Sequence, residues 1–349
     1  MSEDQGNEVF ISRLQKYFAR HFGQDNLRVK LATQLFGGIS RQTWRLDVAW
    51  TQPDGTEEER SLILRLDPPV SLLQSGRKVE YACYKGFASV PGVPVPLPVV
   101  DEDDAEHLGM SFMATDRVEG VASQHVFLQP PFMEAGPEIA RQTFEILGRI
   151  AAADYCWLGL EGVMPVPDIE RVWDVQLTQW EESLKEVSLG PQPITSAVIR
   201  KLRREPPPPP SELSVVHGDY HFGNWLYTPG GITAIVDWEM AHLGDPHEDL
   251  AWAMLQSWRS RARPEKVMHY LDPAEAVSVW EEARGAKVNN DALRWWTLFC
   301  HVKSCAMSMR AAHEFETKTD APLIYATTGW FVIDKAEVWM LEDMGGLSL

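Results

Sequence analysis

Apolar side chains recur at helical spacing over residues 8–22, where Phe10, Leu14, Tyr17, Phe18 and Phe22 share one side. That spacing predicts an amphipathic opening helix. Strand-like runs follow around Val29–Phe36, Thr43–Trp50 and Ser61–Leu66, and Pro53-Asp54-Gly55 between the last two reads as a hairpin turn. Leu72–Val90 reads as a helix. Pro91, Pro94, Pro96 and Pro98 then predict a rigid extended stretch, Asp101–Glu106 an acidic turn, and Leu108–Ala114 another strand. Residues 1–115 are therefore expected to form a small, mostly antiparallel sheet with one internal helix.

From Pro137 onward the period turns helical, most clearly over Ala140–Tyr155 and Glu170–Val187. The run Pro206–Pro210 predicts a polyproline connector of roughly 15 Å. Leu213–Val216 and Ile232–Val236 are short apolar runs, read as the strands of a hairpin. The chain beyond Pro246 is helix-rich and holds Trp252, Trp258, Trp280, Trp295, Trp296, Trp330 and Trp339. No internal repeat is visible. Residues 116–349 are expected to form a second, mainly helical lobe.

Composition narrows the partners. Of 349 residues, 44% are apolar and 23% charged, which excludes wholesale disorder. Acids outnumber bases 50 to 32, for a net charge of −18. That balance repels phosphate backbones and anionic lipid, so neither nucleic acid nor membrane is an expected partner. The start, Met1-Ser2-Glu3-Asp4, is acidic and lacks an apolar stretch, so no secretory signal is expected. Cys83, Cys156, Cys300 and Cys305 form no CxxC pair and are expected to be reduced thiols in a cytoplasmic protein.

The chemistry concentrates in His217-Gly-Asp-Tyr-His-Phe-Gly-Asn224, Ile235-Val-Asp-Trp-Glu239 and Gly244-Asp-Pro246. Each polar group follows an apolar strand. Asp219, Asn224 and Asp237 make up the set that phosphoryl transfer from a nucleoside triphosphate needs. One carboxylate, Asp219, holds the attacking hydroxyl and accepts its proton, while an amide oxygen and a second carboxylate, Asn224 and Asp237, hold magnesium. Two other readings stay open at this point. His217, Asp219, His221 and Asp237 could instead hold zinc or a metal pair in a metallohydrolase, although no HExxH pair is present. The chain could also be a nucleotide-binding module without catalysis.

HGDYHFGN…VDWE…GDPHEDLAW resembles the catalytic block of the aminoglycoside phosphotransferase family, which shares its fold with choline kinases and protein kinases. The similarity at motif level runs from about Phe36 to Trp252. It implies a two-lobed α+β fold, with a small antiparallel-sheet lobe and a larger helical lobe. It also implies a kinase that uses Mg2+ and ATP, or GTP, to phosphorylate a hydroxyl on a small molecule. In the family pattern Asp219 is the catalytic carboxylate, Asn224 and Asp237 are metal ligands, and Asp249 braces the catalytic loop. Glu239 would assist a metal or a water.

Phe36-Gly-Gly-Ile-Ser-Arg-Gln-Thr43 stands where the family covers the phosphates. Gly37 and Gly38 would let the backbone approach and Ser40 would add a hydroxyl, although the segment alone is also an ordinary β-turn signal. In Leu62-Ile-Leu-Arg-Leu-Asp-Pro-Pro69, Arg65 replaces the usual phosphate-contacting lysine, and Glu80 is its expected ion-pair partner. The LRxPP form resembles the branch fused to acyl-CoA dehydrogenases. Met113–Val118, with Asp116 and Val118, matches the hinge that holds the purine. Trp295, Trp296, Phe299, Met307, Met309, Trp330 and Phe331 could line an acceptor pocket or simply pack as core.

Overall fold

The computed structural model describes residues 3–35, 41–67, 74–187, 190–259, 263–319, 321 and 323–345. Helix α1 (Glu3–Phe22) is the predicted opening helix, and it lays Leu14 and Phe18 against a sheet. That sheet contains β1 (Arg28–Leu35), β2 (Gln42–Thr51), β3 (Glu57–Leu66), β4 (Pro98–Glu102) and β5 (Phe112–Asp116). The order is β1-β2-β3-β5-β4 and every pairing is antiparallel. Leu46, Val48, Leu62, Leu64 and Phe112 fill its covered face. The β2–β3 hairpin turns at Gly55, at φ 86°, as the Pro-Asp-Gly signal requires.

Two expectations in this lobe need correction. The proline-rich stretch ends in a strand, because Pro98 opens β4 at the sheet edge, where a missing N–H leaves no ladder partner wanting. Asp101 and Glu102 belong to that strand, so the acidic turn begins later.

Helix α2 (Gln74–Phe87) lies between the sheet and the helical lobe. Arg77 holds the sheet side through Asp67 at 2.8 Å, while Val79, Cys83, Tyr84 and Phe87 enter the core of the helical lobe. Phe87 stacks on Trp238 with centroids 4.7 Å apart. This helix therefore couples the two lobes.

The helical lobe contains α3 (Gln124–Phe127), α4 (Phe132–Ala152), α5 (Val172–Glu186) and α6 (Pro193–Arg204). Helix α6 is not among the expected elements, although Thr195, Val198, Ile199 and Leu202 recur at helical spacing along it. The prolines at 206–210 connect it to β6 (Ser214–Val216) as predicted. β7 (Trp225–Thr228), β8 (Gly231–Ile235) and β9 (His242–Gly244) follow. The expected pairing is corrected: β7 pairs with β8, and β6 pairs with β9. Three- and four-residue strands carry too little alternation to announce their partners. Helices α7 (His247–Met254), α8 (Pro273–Arg284), α9 (Asn290–Thr317) and α10 (Leu323–Asp343) complete the lobe.

Helix α9 is buried on every side through its middle, from Leu298 to Ala306. Trp295, Trp296, Phe299 and Met309 pack there as core, whereas Trp330 is exposed and the Phe331 side chain lies outside the described residues. Among the described residues no helix is long and apolar enough to cross a membrane.

Candidate active site

Where β6 ends, the chain leaves the sheet as a loop whose backbone polar groups need partners. Asp249 on α7 supplies them. Its Oδ2 accepts the His217 N–H at 2.5 Å and its Oδ1 accepts the Gly218 N–H at 3.0 Å. Gly218 has φ 84°, and a Cβ there would stand 2.5 Å from the Met240 carbonyl oxygen, so the turn needs glycine.

The two histidines of the loop are fixed by their neighbours. His217 Nδ1 accepts the Asp219 N–H at 3.2 Å, and its Nε2 faces the Val236 carbonyl oxygen at 3.1 Å. A donor at one nitrogen and a carbonyl at the other select the neutral ring with its hydrogen on Nε2. Burial agrees, pushing the His217 pKa down to about 4. His221 Nδ1 likewise accepts the Gly223 N–H at 3.0 Å, so Nε2–H donates to Asp219 Oδ2 at 3.2 Å. Its ring lies flat on Trp258, with centroids 4.4 Å apart. With both nitrogens of both rings engaged, no ring lone pair is left for zinc.

Asp219 is held on one side only. Its Oδ2 accepts from His221 and from Asn224 Nδ2 at 3.0 Å, and Asn224 Nδ2 also donates to the Asp219 carbonyl at 2.9 Å. The other oxygen, Oδ1, is buried and accepts no hydrogen bond among the described residues. Burial alone would raise this carboxyl, but His221 and the more distant Lys303 outweigh it and hold its pKa at about 2. Asp219 is thus ionised at neutral pH with one lone-pair face unused.

A second cluster gathers where α2 faces the end of β8. Asp237 has left-handed backbone, φ 67° and ψ 57°, and its N–H donates to the Tyr84 hydroxyl at 3.1 Å. Tyr84 in turn donates to Glu80 Oε1 at 2.8 Å. Arg65 on β3 pairs with Glu80, with Asp237 at 2.9 Å and with Glu239 at 3.5 Å. The expected Arg65–Glu80 pair is therefore formed. Arg41 closes the other side of Glu80 at 2.7 Å and also binds Asp67 at 2.8 Å. Burial pushes the Glu80 pKa up to about 7, opposed most strongly by Arg65.

The clusters are joined by backbone. The Val236 N–H donates to the Asn224 carbonyl oxygen at 2.9 Å, and Trp225 pairs with Ile235, so the residues that follow and precede them, Asp237 and Asn224, share one end of the β7–β8 hairpin. Asn224 spends its amide hydrogens on Asp219, so its side-chain carbonyl oxygen is the atom that could ligate a metal. Glu80, Asp237 and Glu239 each place an oxygen within 4.8 Å of the others. Hard oxygens of this kind fit Mg2+ and not a soft metal.

The remaining predicted residues fall elsewhere. Gly37, Gly38 and Ser40 lie outside the described residues. Asp116 ends β5 with its carboxylate in a two-pronged pair with Arg60 at 2.6 and 2.9 Å, and Val118 follows in the strand's exit. The Asp116 side chain is thus committed to the sheet, and the Asp116 and Arg117 N–H groups donate to the Leu97 and Ser61 carbonyl oxygens at 2.8 and 2.9 Å. Sequence reading also missed Arg41, Tyr84 and Lys303. Lys303 did leave a signal, as a lone cation within the apolar run Leu298–Ala306.

The model described as Phosphotransferase enzyme family matches residues 32–286. Acyl-CoA dehydrogenase family member 11 of Rattus norvegicus is 27% identical over 262 residues, 73% of this chain and 32% of the relative. The Homo sapiens protein of that name is 24% identical over 301 residues, 82% of this chain and 36% of the relative. The chain thus spans about a third of the length of these relatives. A Ralstonia eutropha protein provisionally described as an aminoglycoside phosphotransferase superposes with TM-score 0.73 at 18% identity, over 96% of this chain and 98% of that one. Aminoglycoside phosphotransferase APH(4)-Ia, in a ternary complex with AMP-PNP and hygromycin B, superposes with TM-score 0.61 at 17% identity, over 96% and 99% of the two chains. These superpositions establish a two-lobed, kinase-like α+β fold.

Proposed function

The chain belongs to the phosphotransferase enzyme family, and from that premise we propose that it moves the γ-phosphoryl group of ATP or GTP to a hydroxyl of a small molecule. The observation that carries this reading is the asymmetry of Asp219. Two donors hold its Oδ2 while the buried Oδ1 accepts nothing among the described residues, which is the arrangement needed to receive a hydroxyl hydrogen.

A carboxylate with a pKa of about 2 is too weak a base to strip a hydroxyl in the ground state. Asp219 instead orients the acceptor oxygen and takes its proton late, as bonding to phosphorus develops. That suits a loose transition state, in which positioning and charge stabilisation do most of the catalysis. In this reading Asn224 and Asp237 hold Mg2+, with Glu239 beside them. A magnesium ion held by Asn224 and Asp237 would supply positive charge to offset the charge developing on the phosphoryl group.

Arg65 would direct its guanidinium toward phosphate oxygens while Glu80 keeps it in place. Gly37, Gly38 and Ser40 would cover the phosphates, and the backbone from Asp116 to Val118 would hold the purine. Residues 1–115 then clamp the nucleotide, and 116–349 carry the catalytic loop and the acceptor-binding helices. AMP-PNP and hygromycin B together on a chain of the same fold support a nucleotide and a hydroxylated small molecule as the two substrates.

Asp219→Ala is expected to lower turnover by at least about 10²–10⁴-fold while Mg-ATP still raises the melting temperature. Asp237→Ala is expected to weaken that Mg-ATP stabilisation itself. Near-normal turnover in Asp219→Ala, measured as transferred phosphate, would overturn the mechanism.

A further inference from the structure

The peptide bond that carries Asp219 is held from two directions, one of them unexpected. Its N–H donates to His217 Nδ1 at 3.2 Å. Its carbonyl oxygen, that of Gly218, accepts from Lys303 Nζ, which reaches it from the centre of α9. Lys303 is 1% exposed. Its ammonium also binds Glu248 Oε1 at 3.0 Å and stands 5.0 Å from the ring centre of Trp252 and 5.6 Å from that of Trp180.

Such burial of a lysine is rare unless the charge is paired. Glu248 provides the pairing and is shared with His242, whose Nε2 lies 3.1 Å from Glu248 Oε2. His242 Nδ1 faces the Met240 carbonyl at 3.1 Å, the same residue whose carbonyl oxygen crowds Gly218. The cation cluster therefore grips both the catalytic loop and the segment packed against it. Burial opposes the charge on Lys303, but Glu248 prevails and its pKa is raised.

We propose that Lys303 is a positioning residue for phosphoryl transfer, fixing the Gly218 carbonyl so that Asp219 Oδ1 stands where the acceptor hydroxyl must be. Asp249 and Lys303 act as opposed anchors: an anion on α7 takes backbone N–H groups of the loop, and a cation on α9 takes its carbonyl. Lys303 lies outside residues 32–286, which the family model matches, so the contact is supplied by a region that the shared pattern does not include. The proposal rests on the kinase reading for its catalytic consequence, but the anchoring itself can be observed without turnover.

Lys303→Met alone leaves the buried Glu248 charge with His242 as its remaining partner and can fail to fold. The test therefore uses Lys303→Met/Glu248→Gln, which removes both charges, beside Val302→Ala, which opens a cavity in the same helix turn without touching the loop. In the double variant, kcat for phosphate transfer is expected to fall about 10²-fold, the cost of a misplaced reacting group. KM for Mg-ATP should stay within about twofold, since nucleotide binding is not involved.

Amide hydrogen exchange at 217–220 is expected to speed up by about tenfold or more while the middle of α9 stays protected. Val302→Ala should lose stability and keep kcat. Unchanged kcat and exchange in the double variant, or an equal fall of kcat in Val302→Ala, would overturn the proposal. If the wild-type chain transfers phosphate to no hydroxyl, the kinase reading fails. Faster exchange at 217–220 would then still support the anchor, and unchanged exchange would overturn it.

Discussion

At the scale of single residues, the site depends on which groups are charged. His217 is buried, neutral and fixed in one tautomer by a donor and a carbonyl. Its folded pKa of about 4 lies below the unfolded value near 6.5, so the unfolded chain binds the extra proton between those limits. Stability from this residue is therefore intact above about pH 6.5 and is lost as pH falls towards 4, by about 3 kcal/mol in all. Against His217→Gln, which cannot titrate, the wild-type advantage in urea unfolding should shrink by that amount from pH 6.5 to 4. A constant difference would show that His217 is not held neutral.

Gly218 makes a sharper residue-scale prediction. A methyl group would meet the Met240 carbonyl at 2.5 Å on backbone that already has φ 84°. Gly218→Ala should cost about 1–3 kcal/mol in thermal unfolding. It should also lower turnover, because the displaced peptide carries Asp219. Asp219, Asn224, Asp237 and Asp249 were all legible in the sequence, since each lies in a short motif after a strand. Arg41, Tyr84 and Lys303 were not. Their partners come from other elements, and no local spacing encodes a hydrogen bond from α9 to a loop that lies 85 residues earlier.

At the scale of elements, legibility follows length. The first hairpin and helix α5 appear where periodicity placed them, and the opening helix and α4 do so with earlier starts, at Glu3 and Phe132 instead of Glu8 and Ala140, because each offers several turns or alternations of pattern. β4 was hidden by Pro98, and the pairing of β6 with β9 was hidden by strands of three residues. Helix α6 was legible but unread: Pro193 opens it, Thr195, Val198, Ile199 and Leu202 give its buried face, and basic residues close it. The crossing of α4 and α8 is set by one residue: a Cβ on Gly148 would lie 2.6 Å from the Trp280 carbonyl oxygen and 2.7 Å from Ala283 Cβ. Alanine normally gains up to about 1 kcal/mol over glycine within a helix. Here overpacking of about 1–3 kcal/mol should win, so Gly148→Ala should lower the melting temperature while leaving Mg-ATP binding unchanged. A rise in melting temperature would mean that the helices part easily.

At the scale of the whole molecule, α2 and α9 do the organising. Helix α2 delivers Glu80 to the cleft while its other residues pack into the helical lobe's core. The sheet that carries Arg65 is thereby registered against the hairpin that carries Asp237. Helix α9 places a buried cation beneath the loop that carries Asp219, in a chain whose net charge is −18. Local charge, not the global excess, governs the site, because buried charges at short range are poorly screened. The two-lobed plan was legible from the order of strand-like and helical segments together with the motif set. The pairing of the two lobes was not, because tertiary packing alone determines it.

The most direct test of the central claim is to follow labelled γ-phosphate from Mg-ATP, and in parallel from Mg-GTP, across aminoglycosides, macrolides, choline, phenols, terpenoid alcohols and hydroxyacyl-CoA. Label is expected on at least one hydroxylated acceptor, abolished by chelating magnesium and by Asp219→Ala. Nucleotide binding without label on any acceptor, or label transfer that survives loss of Mg2+ or of the Asp219 carboxylate, would contradict that claim.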